Sequence, residues 1–166
     1  MEQPPISVDN VNPPVDIYDL RHGFRVGFLQ LLLPAQTRSE LLRCEHFCAI
    51  PETPDWFVGF INHRGDAVPV YDLAASLGLG LTDPKRGWLL LLDAQPATAA
   101  VLLQDTPQGI TNPSVAGDAQ PRPDLLEGIC SGQYHYHNSL WFEFDHRAYF
   151  SRQKQRFIKT NSAIPA

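Results

Sequence analysis

Short apolar runs, each closed by proline, glycine or a polar cluster, set the rhythm of this chain. Phe24 to Phe28 and Leu29 to Leu33 are two such runs, the second ended by Pro34. Both have strand length and read as the opening strands. Leu41 and Leu42, beside Glu40, start a further strand or short turn, and Phe47 to Ile50 continues from it. Thr53-Pro54-Asp55 then introduces a hairpin. Trp56 to Ile61 is its first arm, Asn62-His63-Arg64-Gly65 its polar turn, and Ala67 to Tyr71 its second arm. Pro69 lies inside the second arm. Proline has no N–H to give to a ladder, which predicts a position at an edge or a bulge. Asp72 is placed to cap a short helix through Ser76 and Leu77 to about Gly78.

Trp88 to Leu92 is continuously apolar, as in a strand buried on both faces. Ala97 to Leu103 follows across Gln95-Pro96 and is expected to pair with it antiparallel. Residues 80–87 and 112–124 read as loops. Leu126 to Ile129 is expected to start a strand, Tyr134 to Ser139 to form a polar hairpin end, and Leu140 to Phe144 to return as the last strand. Asp145 can cap a short terminal helix through Tyr149 and Phe150. The expected organisation is a flexible arm over 1–21, one domain over 22–150, and a polar, basic tail over 151–166.

Composition narrows the class. A chain of 166 residues suits one domain. At this size roughly 70% of the unfolded surface can be buried, so neither metal nor disulfide is required. Fifteen prolines and eleven glycines between short runs favour an all-β barrel or sandwich over a helical bundle. The net charge of -5 argues against nucleic acid, which needs basic clusters, and leaves protein partners open. Three cysteines do not make a complete disulfide framework; reduced thiols in the cytoplasm are the simple reading. The opening MEQPPISVDN lacks the apolar core of a signal peptide. No apolar run approaches the ~20 residues of a spanning helix, so membrane insertion is not expected.

Candidate chemistry is sparse. Cys44, His46 and Cys48 stand at i, i+2 and i+4, one face of a strand, and His135 and His137 repeat that period. A Cys/His zinc site would draw on these residues. Neither spacing is a complete zinc pattern, and nothing in the sequence joins the segments, so no metal or cofactor is expected. G-x-S-x-G, a phosphate-cradling glycine loop and H-E-x-x-H are all missing, and the chain does not read as an enzyme. Arg64-Gly65-Asp66 spells an adhesion tripeptide by coincidence. Gly59 and Gly65 suit backbone shapes or close approaches that a Cβ would block. Val58, Phe60, Val68 and Val70 alternate along the hairpin; most are expected in the core and a minority on a partner face.

The hairpin closely resembles the signature of the CheW-like family, the coupling adaptors of bacterial chemosensory arrays. The residues that carry the likeness are Pro51, Pro54, Trp56, Gly59, Ile61, Asn62-His63-Arg64-Gly65, Val68-Pro69-Val70 and Asp72-Leu73. His63 departs from the family's usual Leu, and Arg38 stands where an apolar contact residue is usual. The likeness extends over roughly residues 22–150, looser after 75. Gly23-Phe24-Arg25 and Leu140-Trp141-Phe142 lean toward the members of type IV pilus (twitching) systems. The resemblance implies two intertwined five-stranded SH3-like β-barrels sharing a core, with one or two short helices. It implies a noncatalytic adaptor that couples the cytoplasmic tip of a methyl-accepting chemoreceptor to the regulatory domain of a CheA-type histidine kinase. It also implies that Glu40 and Arg64 meet in space, where the Arg64 guanidinium is expected to hold the carboxylate bidentately. Burial of that pair would put roughly 3–5 kcal/mol on its removal. Val58, Gly59, Asn62, Gly65 and Val68 complete the expected partner-binding or site-structuring set. The alternatives are an interaction module of the same fold serving another signalling complex, and a Cys/His metal-binding domain.

Overall fold

The computed structural model describes residues 18–43, 46–118 and 120–162. The chain opens with the hairpin β1 (Leu20–Val26) and β2 (Leu29–Leu32), then moves to β3 (Ser39–Arg43). The hairpin β4 (Phe57–His63) and β5 (Asp66–Asp72) follows, then helix α1 (Leu73–Ser76) and the pair β6 (Trp88–Leu92) and β7 (Ala99–Leu103). The chain returns through β8 (Gln108–Thr111), β9 (Ser114–Val115) and the hairpin β10 (Cys130–Tyr136) and β11 (Ser139–Phe144), and ends in helix α2 (His146–Ser162).

Two sheets result, ordered β8-β1-β2-β11-β10-β9 and β3-β6-β7-β5-β4. The middle of the chain builds the second. Strands from both ends build the first, where β11 lies parallel to β2. Two five-stranded units were expected; the two-residue β9 makes the first sheet six-stranded. Apolar side chains gather in three clusters. Leu32, Ile110 and Trp141 belong to the first sheet, and Ile61, Val68, Val70, Leu89, Leu91, Ala100 and Leu102 to the second. The largest cluster takes residues from both sheets and α2, including Phe24, Leu31, Leu90, Val101, Phe144 and Tyr149. Neighbours along β6 and β7 divide between two of these clusters, and this is why those strands are apolar at every position.

Gly59 decides the faces of the functional hairpin. Its φ is +132, and an added Cβ would overlap the Cys48 carbonyl oxygen. The ladder between β4 and β5 shifts by one residue between Phe57 and Gly59. A one-residue shift sends later side chains to the opposite face. Phe57 and Phe60 therefore both pack with the large shared cluster, while Val58 and Ile61 join Val68 and Val70. Simple alternation would have put Phe60 with Val58. Pro69 does not sit on an edge strand, since β5 lies between β7 and β4. It does precede Val70, where pairing with β7 begins, so its missing N–H has no ladder bond to make there.

Asp72 is only 2% exposed and serves two elements. Its carboxylate accepts from Ala75 N (3.2 Å) to cap α1, and from Thr82 N (2.7 Å) and Thr82 Oγ1 (3.0 Å) to hold the following loop. Three expectations need correction. The terminal helix does not stop near Phe150; it runs 17 residues to Ser162, so most of the expected tail is helical. Tyr149, Phe150, Gln153 and Phe157 form a helical stripe against the core, capped by Asp145 Oδ1 accepting from Ala148 N (2.9 Å). Leu126 to Ile129 does not start a strand: Asp124–Leu126 is a 3₁₀ turn, and β10 begins at Cys130. The expected arm ends sooner, because β1 starts at Leu20; its residues 1–17 lie outside the described residues.

Candidate functional site

The tip of the β4–β5 hairpin is a two-residue turn. Arg64 (φ +55) and Gly65 (φ +90) are both left-handed, the geometry that matches the twist of adjoining strands. Gly65 adopts it without strain, and nothing lies within 4 Å of where its Cβ would be. Asn62 fastens the turn by accepting from Gly65 N through Oδ1 (3.0 Å). The turn thus carries Arg64 away from the sheet, and β3, at the sheet's far edge, carries Glu40 to meet it.

Arg64 Nη2 donates to Glu40 Oε1 at 3.1 Å. The pairing is not bidentate. His63 Nε2 lies 3.2 Å from the other oxygen, Oε2, so the residue that departs from the family pattern occupies the second arm of the fork. The Arg64 side chain is 70% exposed and that of Glu40 38%. Such an ion pair contributes about 0–1 kcal/mol, not the larger figure a buried pair would carry. The three side chains border a polar groove of about 570 Å³, with Arg38, Asp66 and Asp93 also on its walls.

The remaining expected residues take different places. Val68 is fully buried, so it shapes the hairpin from within. Val58 is half-buried against the same cluster. Gly59 acts through the bulge and its approach to Cys48. Cys44 lies outside the described residues. Among the described residues, no group of three His, Cys, Asp or Glu side chains is arranged to hold a metal ion. His135 belongs to the six-stranded sheet, whereas Cys48 bridges to Phe60 of the other.

Sequence reading missed the cluster at the end of the groove. Asp93, just after β6, accepts from Arg147 Nε (3.2 Å) and Nη2 (3.3 Å) and faces His146 Nε2 at 3.0 Å. It ties the five-stranded sheet to the start of α2. Burial raises the Asp93 carboxyl, but the Arg147 hydrogen bonds and the charges of His146 and Arg147 outweigh it and leave it below the ordinary carboxylate value. A depressed native value stabilises the fold above the unfolded value of about 3.9 and loses that contribution as pH falls through the native one. Asp93→Asn is therefore expected to lower the urea midpoint at neutral pH and to converge on the parent chain in acid. Midpoints that stay parallel down to about pH 2 would show that Asp93 contributes no such linkage.

The CheW-like domain profile matches residues 22–153. Protein FrzA of Myxococcus xanthus is 33% identical over 100 residues, 60% of this chain and 62% of its own length. The probable chemotaxis protein CheW of Rhizobium etli is 28% identical over 108 residues, 64% of this chain and 68% of its own. The chain thus spans less than two thirds of FrzA. Scaffolding protein TtCheW of Thermoanaerobacter tengcongensis superimposes with a TM-score of 0.60 at 17% identity, covering 76% of this chain and 88% of its own, and shows the same fold. With four fifths of its length matched and its two-sheet architecture shared with a solved member, the chain belongs to the CheW-like domain family.

Proposed function

We propose that this chain is a noncatalytic adaptor of a chemosensory array. It holds the regulatory domain of a CheA-type histidine kinase and the cytoplasmic tip of a methyl-accepting chemoreceptor in one assembly, so that a change in the receptor reaches the kinase. One observation carries the reading. Residues 40 and 64, from opposite edges of one sheet, meet on the surface beside an open groove, in an ion pair that the fold does not need for stability. The name of the Rhizobium etli relative, a probable chemotaxis protein, supports the pathway. The reading places the protein in the cytoplasm; among the described residues no helix is long and apolar enough to cross a membrane.

A role in type IV pilus (twitching) motility is the finer reading, and it rests on the resemblance of Gly23-Phe24-Arg25 and Leu140-Trp141-Phe142. Gly23 and Trp141 pack on each other: a Cβ at Gly23 would lie 2.5 Å from Trp141 Cζ3, and Trp141 is 2% exposed. Their role is internal packing, and the choice of pathway must come from exposed residues such as Arg38.

Mixing the purified chain with the host's CheA-type regulatory domain and a receptor-tip fragment tests the proposal. A complex with both is the expected result. If neither binds at micromolar concentration, the adaptor reading fails.

A further inference from the structure

A second groove of about 540 Å³ lies between the β4–β5 hairpin and the end of α2. Its floor is Phe57, Phe60, Pro69 and Tyr71, and its lips are Ile50 and Ile158, which are 40% and 64% exposed. Phe157 packs edge-on against Phe57 (5.5 Å) and Trp56 (6.3 Å), which pins the helix end over the hairpin and leaves Ile158 at the rim. The groove depends on the Gly59 bulge, which turns Phe57 and Phe60 to the same face. It also depends on residues beyond the family domain: the profile ends at 153, and Lys154, Phe157 and Ile158 come after it.

Charge identifies the occupant. The net charge of the chain is -5, yet α2 carries Arg147, Arg152, Lys154, Arg156 and Lys159 and no acid. Three of these cations serve the fold. Arg147 holds Asp93, Arg152 donates to the Glu127 carbonyl (2.9 Å), and Arg156 stacks 5.0 Å from the Trp56 ring. Lys154 and Lys159 are exposed, and among the described residues no carboxylate pairs with either. An apolar trough with Lys154 in its lining, on a helix that carries no acid, matches the apolar face of an amphipathic helix flanked by Glu or Asp. An anionic membrane fits less well: the apolar surface is concave, and the acidic body would be repelled.

We infer that this groove docks an acidic amphipathic helix of a protein partner, at a face separate from the Glu40–Arg64 site and independent of the array reading. The probe is a fluorescein-labelled peptide of about 18 residues, with Leu at helical spacing and Glu at most other positions. Full-length protein is titrated into it and anisotropy is read. Saturable binding is expected, weakened at least about tenfold by Ile158→Asp and by Lys154→Glu, and by exchanging the peptide's Glu for Lys. Both substituted residues are exposed, and unchanged thermal melts confirm that the variants fold. Arg64→Glu is expected to leave this binding intact, which keeps failure here distinct from failure of the adaptor reading. Absence of saturable binding overturns the inference. So does indifference to Ile158→Asp, or equal binding of the basic peptide. Ile158-dependent binding to phosphatidylglycerol vesicles without peptide binding, or self-association lost in Ile158→Asp, would assign the groove to another occupant and also overturn it.

Discussion

Gly59→Ala is expected to destabilise the protein by about 4 kcal/mol, with a matching fall in the urea midpoint. Two costs add. At φ +132 an L side chain is strained by about 1–3 kcal/mol. The new Cβ also meets the Cys48 carbonyl, which Phe60 N reaches at 3.0 Å while Cys48 N reaches Phe60 O at 2.8 Å. Separating the strands loses both bonds, at about 1 kcal/mol each. Small domains have about 5–15 kcal/mol in total, so the variant retains a narrow margin. Its consequences reach past stability, because the bulge at Gly59 sets which core Phe60 enters. A variant that relieved strain by erasing the bulge would move Phe60 away from Phe57 and empty the floor of the apolar groove. A measured loss under about 1 kcal/mol would show that the segment around Cys48 yields easily and that Gly59 is not the constraint.

Gly59 also marks the boundary of what sequence can convey. Its presence in the hairpin signature was plain, and a close approach was one of two open readings. The partner in that approach, Cys48, sits eleven positions upstream and belongs to no regular strand, so no local pattern points to it. Period-two reading placed Phe60 in the core but could not say which cluster it joins, because a bulge is a two-dimensional event that a linear pattern does not register. The strands β6 and β7 were visible for the opposite reason: burial on both faces leaves an uninterrupted apolar run. The end of α2 was missed because only Phe157 and Ile158 are apolar between residues 152 and 162. Read from Tyr149 and Phe150 at intervals of three and four, Gln153 and Phe157 complete a stripe that would have disclosed the helix.

At the candidate site the difference lies between contact and arrangement. That Glu40 and Arg64 meet came from the family resemblance, since 24 positions separate them and neither strand's pattern requires the other. The contact is present, but its exposure and its sharing with His63 are properties of tertiary geometry. Asp93, His146 and Arg147 form a group that no spacing could reveal, because 53 and 54 positions divide the carboxylate from its partners.

Charge reversal at this site separates binding from folding. Arg64→Glu is expected to reduce affinity for the kinase regulatory domain or the receptor tip at least about tenfold while changing stability by less than about 1 kcal/mol. The stability expectation follows from exposure: at 70% exposed, the side chain is held by one hydrogen bond across solvent-accessible surface. Its backbone is no argument against the substitution, because Arg already adopts φ +55 and an unbranched Glu meets a similar steric cost there. Placing a second carboxylate about 3 Å from Glu40 drives the two side chains apart and alters the groove wall they share. Adding Glu40→Arg restores the opposite signs, yet rescue is expected to be partial. The new cation would stand where Glu40 now faces His63 Nε2, so an attraction becomes a crowding of two donors. A further change of His63→Leu removes that conflict and is expected to raise the rescue. Binding titrations with each purified partner, paired with urea midpoints of the same samples, read the two effects separately. A folded Arg64→Glu protein that binds both partners as the parent does would remove this pair from the interface, and a loss of affinity matched by a loss of stability would assign it to the fold instead.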